Sequence, residues 1–419
     1  MSDVFIIGAA CTTFGKLPNR SFKDLAREVY TDVLADSGLE GGARIESAWF
    51  SNCGLNTWGQ NSIRGQVCFT PLVREGLFPE RVPMTNVEGG CASASLALQG
   101  AWKDILSGEH EISLAVGIEK TFHPGDPEKT FGLLAGAIDQ FDPQEWQAYY
   151  KAAAAQVGKP FDAGSGKSIF MDTYAMQAAY HMKKYGTTQE QIAIAAAKAH
   201  NFGAQNPKAQ YRFTQTVDEV MRDNPVSFPL TRAMCSPIGD GAAAALLCSE
   251  KVLRTLPPAA QARAVRIAGC GLSGGKYRSF DEPGLSQVAG RRAYARANLR
   301  PRDIDVAEVH DATSFSEIYQ PEMLGFCALG EGGAYVAAGA TALGGELPVN
   351  TSGGLVSKGH PVGATGLSMI YELAAQLRGE AGERQVKGAR RALAENGGGV
   401  IGFDEAVCSV VILEGTVNA

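Results

Sequence analysis

Along the chain, short apolar runs alternate with stretches of helical spacing. Residues 4–8 form an apolar run closed by Gly8, and Phe22, Leu25, Ala26, Val29, Val33 and Leu34 then recur every three or four positions until Gly38. The first run predicts a strand. The second predicts a helix over residues 22–37 that buries one face and stops at a glycine. Residues 45–51 read as another strand, 60–74 as partly helical, and Val82-Pro83-Met84 as a short approach to a turn at Gly89-Gly90. Ala92, Leu96, Ala97 and Ala101 start a helix directly after that turn, which ends near Gly108. Residues 112–120 read as a strand leading into a loop.

The pattern changes from 121 to about 229. Helical stretches at 168–185 and 188–202 sit among connections rich in Gly, Pro and aromatic residues, which predicts an insertion packed over the first domain. Residues 240–249 return as a buried strand around Ala242-Ala243-Ala244-Ala245-Leu246-Leu247, and 251–262 read as a linker. The order of elements then recurs. Val265-Arg266-Ile267-Ala268-Gly269 matches Val4-Phe5-Ile6-Ile7-Gly8, residues 287–297 answer the first helix, and 299–309 answer 39–49. Residues 347–354 loosely resemble 82–90, a helix follows from Gly366 to about Leu377, and 408–413 answer 243–248. This predicts a duplicated α/β protein, each half a sheet with helices on both faces. The expected units are an N-terminal half (1–120 and 230–250), an inserted segment (121–229) and a C-terminal half (263–419).

Composition narrows the class. The chain has 419 residues, 45% hydrophobic and 20% charged, enough for two substantial domains or one large layered unit. Its 50 glycines call for tight turns and close backbone approaches. A formal charge of −6 supplies no basic field for nucleic acid. No apolar run reaches membrane-spanning length, and no basic region precedes the first apolar run as in a secretory leader. The nine cysteines are widely spaced without a C-x-x-C pair, so the expectation is a cytoplasmic protein with no zinc ribbon or other metal site of its own.

Three places concentrate candidate chemistry. Cys91 follows Glu88-Gly89-Gly90 at the start of a helix, where unpaired backbone N–H groups and the helix dipole favour thiolate. It reads as a nucleophile with room for an incoming thioester, or as a buried inert thiol. His360 sits in Ser357-Lys358-Gly359-His360-Pro361-Val362-Gly363-Ala364-Thr365-Gly366, a loop of small residues before a helix. His310 follows the apolar strand and opens His310-Asp311-Ala312-Thr313, at the strand end where open α/β sheets place their sites. Asp311 reads as an orienting group, a loop anchor or a helix cap. Asn396-Gly397-Gly398-Gly399-Val400-Ile401-Gly402 matches G-x-G-x-x-G, but a strand follows where a dinucleotide site needs a helix. Its backbone N–H groups suit an oxyanion hole instead, or the glycines only form a turn. One cysteine and two histidines point to covalent acyl transfer.

Glu88-Gly89-Gly90-Cys91-Ala92-Ser93, His310-Asp311-Ala312, Gly359-His360-Pro361-Val362-Gly363-Ala364-Thr365-Gly366 and Gly397-Gly398-Gly399 together resemble the thiolase family, within the thiolase and ketoacyl-synthase superfamily. His-Asp in the middle motif resembles the sterol-carrier-protein-linked branch. The resemblance implies a five-layered α-β-α-β-α fold. It implies an acyl-CoA C-acyltransferase, a 3-oxoacyl-CoA thiolase cleaving or condensing CoA thioesters, with coenzyme A as co-substrate and no tightly bound cofactor. Cys91 would carry the acyl group, His360 would activate it, and His310 would complete an oxyanion site. The N–H groups of Cys91 and Gly397 would form a second one. The family's second acid/base cysteine is missing: the matching positions hold Ala312 and Glu395. Relatives with that gap include acyltransferases and aldolases, which implies as an alternative a retro-aldolase acting on a 3-hydroxyacyl-CoA; an alternative of a different class is a non-catalytic subunit of a thiolase-like complex. A homodimer is implied, and so is a small zinc-ribbon and OB-domain partner subunit. The sequence names no CoA-contacting residue; the insertion is the expected carrier, and its aromatic residues Phe161, Phe170 and Tyr174 read equally as packing.

Overall fold

The computed structural model describes residues 3–161 and 168–416. Strand β1 (Val4–Cys11) is buried throughout, and helix α1 spans Phe22–Ser37. Ser21 starts α1: its hydroxyl accepts from the Asp24 N–H at 3.1 Å, and the Asp24 carboxylate accepts from the Ser21 N–H at 2.8 Å. Gly38, at φ 74°, ends it. Then follow β2 (Ser47–Ser51), α2 (Arg64–Arg74), β3 (Met84–Val87), α3 (Ser93–Ser107) and β4 (Ile112–Lys120). The next stretch carries α4 (Pro127–Ala135), α5 (Pro143–Val157), α6 (Ile169–Tyr185), α7 (Gln189–Gln205) and α8 (Val217–Arg222). A small hairpin of β5 (Pro225–Ser227) and β6 (Leu230–Thr231) leads back to β7 (Asp240–Ser249).

Residues 251–262, expected as a linker, are largely helical, in α9 (Glu250–Leu253) and α10 (Pro258–Arg263). Val252, Leu253, Leu256 and Ala260 are buried against the outer core of the first half, so this proline-rich stretch is packed cover. The second half contains β8 (Val265–Gly274), α11 (Leu285–Ala297), β9 (Val306–Glu308), α12 (Ser316–Leu324), α13 (Gly332–Ala337) and α14 (Thr365–Arg378). It ends with β10 (Arg391–Gly398) and β11 (Val407–Gly415).

The strands form a sheet in the order β3-β2-β4-β7-β1-β8-β11-β10-β9. The expectation of a separate sheet in each half needs amending: the two strand sets meet edge to edge, where Phe5 pairs with Arg266 and Ile6 with Val265. Outward from that seam the halves repeat. β1 is antiparallel to β7, β7 to β4, and β4 is parallel to β2; β8 is antiparallel to β11, β11 to β10, and β10 is parallel to β9. A parallel bridge from Ala307 to Val349 stands where the first half has β2 beside β3. Even the irregularities match. The β1 ladder skips between Ile6 and Gly8, and the β8 ladder skips between Ile267 and Gly269. A Cβ on Gly8 would lie 2.4 Å from the Val33 carbonyl of α1, and one on Gly269 2.4 Å from the Ala293 carbonyl of α11. Both glycines let a helix press on the strand backbone.

The layers follow from which face is apolar. Ile6, Ala245, Ile267 and Val411 point inward and share one core with Ala97 and Leu98 of α3 and Leu367 and Ile370 of α14. On the other face of the first strand set, Leu25 and Val29 of α1 pack with Phe50 and Leu114. On the second, Ala289 and Ala293 of α11 pack with Val410 and Ile412. Helix, sheet, helix, sheet, helix is the five-layered order. The insertion's main helical core departs from expectation: Ala178, Ile192, Ala196 and Val220 pack with Phe315, Ile318 and Val336 of the second half. The small residues of α7 permit this, with Gly203 against Gly353. Among the described residues no helix is long and apolar enough to cross a membrane.

Candidate active site

Cys91 lies in a single 3₁₀ turn, Gly90–Ala92, just ahead of α3. The Ser93 hydroxyl staples that turn, accepting from the Gly89 N–H at 2.9 Å and donating to the Gly90 carbonyl at 2.6 Å. The terminal glycine run presses on it from the other half. A Cβ on Gly398 would lie 2.3 Å from the Ala92 nitrogen and 2.7 Å from the Cys91 nitrogen, and one on Gly90 2.5 Å from the Gly399 nitrogen. Two glycine-rich stretches some 300 residues apart are thus glycine-rich because their backbones touch. The expectation of a thiolate at rest is corrected. Burial pushes the Cys91 thiol up to about 12; its own N–H pulls the other way, and the charges of Glu119, Glu405 and Glu88 add to the rise. The resting form is the thiol.

The base is within reach. His360 Nε2 is 3.1 Å from the Cys91 sulfur, and its Nδ1 is 2.7 Å from the Thr365 hydroxyl. That hydroxyl donates its one proton to the Pro361 carbonyl at 3.0 Å. It therefore accepts from Nδ1–H, which leaves the Nε2 lone pair facing the thiol proton. Burial, with the His310 and Lys358 charges, holds His360 well below its ordinary 6.5, so the ring is neutral and able to accept. The loop around it is anchored on both sides. Asp311 accepts from the Leu355 N–H at 2.7 Å, and Ser51 donates to the Gly363 carbonyl at 2.7 Å. Asp311 is thus a loop anchor.

The His310 ring lies 5.3 Å from that of His360. Among the described residues its two ring nitrogens have no hydrogen-bond partner of good geometry, although the Gly397 carbonyl faces the ring and favours its proton. Burial brings His310 down to about 4. The donor atoms of Cys91, His310 and His360 lie within 4.8 Å of one another. Such a set could hold a soft metal ion; it is also what proton transfer and oxyanion binding at one thioester require. The structure thus brings together Cys91, His310, His360 and the Gly397–Gly399 run.

Two carboxyl groups the sequence reading did not single out complete the surroundings. Glu119, fully buried, accepts from the N–H groups of Cys53 at 2.9 Å, Gly54 at 3.1 Å and Gly363 at 3.1 Å. Burial still pushes it up to about 7. A charged residue closing a strand usually reads as solvated, so nothing local marked it. Glu405 lies between β10 and β11, beside Gly397. Glu395, named only as a position, accepts from the His310 N–H at 3.0 Å and from the Cys408 thiol at 3.3 Å.

Known proteins share this arrangement of elements. The family model "Thiolase, N-terminal domain" matches residues 4–226, and "Thiolase C-terminal domain-like" matches residues 284–412. The chain belongs to the thiolase family. This thiolase is 37% identical to an acetyl-CoA acetyltransferase of Methanothermobacter thermautotrophicus, over 96% of this chain and 98% of that protein. It is 35% identical to human sterol carrier protein 2, over 97% of this chain and 73% of that protein. Among solved structures it is similar to the Ltp2-ChsH2(DUF35) aldolase, with TM-score 0.75, 25% identity and coverage of 99% of this chain and 98% of that one. Human mitochondrial 3-ketoacyl-CoA thiolase shares the fold, with TM-score 0.68 at 19% identity and 99% of each chain covered. The protein is an acyltransferase of the thiolase type.

Proposed function

We propose that this thiolase cleaves a 3-oxoacyl-CoA by thiolysis, or runs the reverse Claisen condensation, through an acyl group on Cys91. The observation that carries the reading is the 3.1 Å contact between the Cys91 thiol and His360 Nε2, with the imidazole tautomer set by Thr365. As the sulfur attacks the 3-keto carbon, its proton passes to Nε2. The attack needs no standing thiolate, which suits a thiol at about 12. The oxyanion forms beside the backbone of Cys91 and Gly397. The carbon–carbon bond breaks, and the thioester enolate that leaves is stabilised next to His310 and His360. Free CoA then takes the acyl group from Cys91. Coenzyme A enters as co-substrate, with the insertion as its carrier.

A second reading is supported by the Ltp2-ChsH2(DUF35) aldolase: retro-aldol cleavage of a 3-hydroxyacyl-CoA, with no covalent step. It accords with Ala312 and Glu395 at the two positions where the family resemblance calls for a second cysteine. The reading extends to a homodimer, which rests on the family resemblance, and to a separate small partner subunit, supported by the ChsH2(DUF35) component that the aldolase's name carries. A cytoplasmic setting is supported by nine free cysteines.

The test is product analysis of the purified protein, alone and with its co-purifying partners. Thiolysis predicts two acyl-CoA products from a 3-oxoacyl-CoA plus CoA. A carbonyl product from a 3-hydroxyacyl-CoA, with 3-oxoacyl-CoA untouched, would move the assignment to the aldolase.

A further inference from the structure

Thiolysis and retro-aldol cleavage share one demand. Breaking the carbon–carbon bond leaves an electron pair on the α-carbon of a CoA thioester, and a proton must reach that carbon. The positions that would hold a cysteine for this purpose hold Ala312 and Glu395. Glu395 is fully enclosed, with one oxygen bound to the His310 N–H and the other to the Cys408 thiol. Cys408 is committed to Glu395. Cys53, beside the nucleophile turn, is committed to the Gly90 carbonyl at 3.2 Å and the Ser93 hydroxyl at 3.1 Å.

Glu405 differs from all of these. Its Cγ, Cδ and Oε1 lie 2.4, 2.8 and 3.0 Å from the Cβ position that Gly397 leaves empty. The carboxyl group therefore lies across the face of Gly397, whose carbonyl faces the His310 ring. Its charge is felt at Cys91, Glu395 and Tyr174, so it shares their enclosure. Among the described residues no side chain hydrogen-bonds to it, and the residue remains partly exposed. The connection that carries it is firmly held. Neighbouring Asp404 pairs with Arg278 at 2.7 Å, both buried. Phe403 stacks on Phe280 with ring centres 4.3 Å apart, and the Ile401 N–H donates to the Asp404 carbonyl at 2.9 Å. A carboxyl group with no side-chain partner among the described residues, on a rigid support and laid against the site from one side, is what a mobile proton needs.

We propose that Glu405 is the catalytic acid and base for the substrate α-carbon. This rests on the proposed function only in taking a CoA thioester as substrate, and it holds for either cleavage. In cleavage the carboxylic acid gives its proton to the α-carbon as the bonding pair of the broken bond arrives there, and becomes a carboxylate. In condensation the carboxylate takes the α-proton, and the C–H pair moves into the thioester carbonyl. Burial, opposed by the residue's own backbone N–H and by Arg278 and reinforced by the Asp404 charge, brings Glu405 up to about 7, so both forms are present near neutrality. The Tyr174 phenol nearby is kept protonated by burial, so it can give a proton but not take one.

The test is deuterium exchange at the α-carbon of acetyl-CoA and propionyl-CoA in D₂O, read by mass spectrometry, beside acylation of Cys91 by the same thioesters. Glu405→Gln should slow exchange by about 100-fold, with Cys91 still acylated, and Glu405→Asp should restore part of the exchange. The exchange limb near pH 7 should vanish in Glu405→Gln. Exchange that survives in Glu405→Gln, exchange lost only in Tyr174→Phe, or a wild-type protein that exchanges neither thioester would overturn the proposal. Exchange without any acyl adduct in the wild type would leave Glu405 standing and remove the thiolase reading instead.

Discussion

Replacing Thr365 by valine tests how the histidine is made into a base. The change keeps the side-chain shape and removes one oxygen that is fully buried. His360 Nδ1–H then has no acceptor, while the Pro361 carbonyl keeps the Ala364 N–H as its donor. An unpaired buried N–H costs about 1–3 kcal/mol. The ring avoids that cost by moving its proton to Nε2, which then donates to the Cys91 sulfur and cannot receive the thiol proton. At about 1.4 kcal/mol per factor of ten, the productive tautomer falls by roughly fivefold to 150-fold. Rapid-quench mass spectrometry of Cys91 acylation in a single turnover reads this directly. Thr365→Ser keeps the oxygen and should recover most of the rate. The reasoning is refuted if Thr365→Val acylates at the wild-type rate, or if Thr365→Ser falls as far as valine.

Three further outcomes follow from the same geometry. Burial keeps His360 well below 6.5 and His310 at about 4, so both rings are neutral at and above pH 6.5. Single-turnover acylation should be flat from pH 6.5 to about 8.5 and fall only on acidification; a limb centred at 6.5 would contradict this. Glu395 is pushed from 4.5 up to about 8 by burial first and then the Glu405 charge. The folded protein thus keeps a proton the unfolded chain releases, so stability drops as pH rises through that window. Glu395→Gln should flatten the fall of melting temperature between pH 4.5 and 8, and an unchanged slope would count against a protonated Glu395. Gly398→Ala would place a Cβ 2.3 Å from the Ala92 nitrogen, so acylation should drop by about 100-fold while circular dichroism stays native. A variant acylating normally would show that the two glycine-rich stretches do not need each other.

Much of the molecule could be read because its signals are local. The α1 stripe, its stop at Gly38 and the Cys91 and His360 loops each carry their pattern within about a dozen residues. The repeat could be read as well, down to Ile7 and Ala268, which fall at the same irregularity of β1 and β8. What escaped depends on distance in the fold. Strand β10, Arg391–Gly398, is almost wholly buried yet spells Arg-Ala-Leu-Ala-Glu-Asn-Gly-Gly, with no apolar alternation to reveal it. Glu119 meets the Gly363 N–H across 244 residues of chain. Glu405 sits in a connection between strands that reads as a surface turn. Residues 251–262 read as a linker because the apolar surface that Val252 and Leu256 cover belongs to another part of the sheet. The resting state of Cys91 also depends on distant parts of the chain: a helix start favours thiolate, but enclosure by both halves outweighs it.

The most direct measurement is the intact mass of the protein after mixing with 3-oxoacyl-CoA thioesters of several chain lengths, with and without free CoA. The account predicts an acyl adduct that maps to Cys91, disappears in Cys91→Ser and is discharged by CoA. Cleavage of a CoA thioester that proceeds equally well in Cys91→Ser, with no adduct at any chain length, would contradict it.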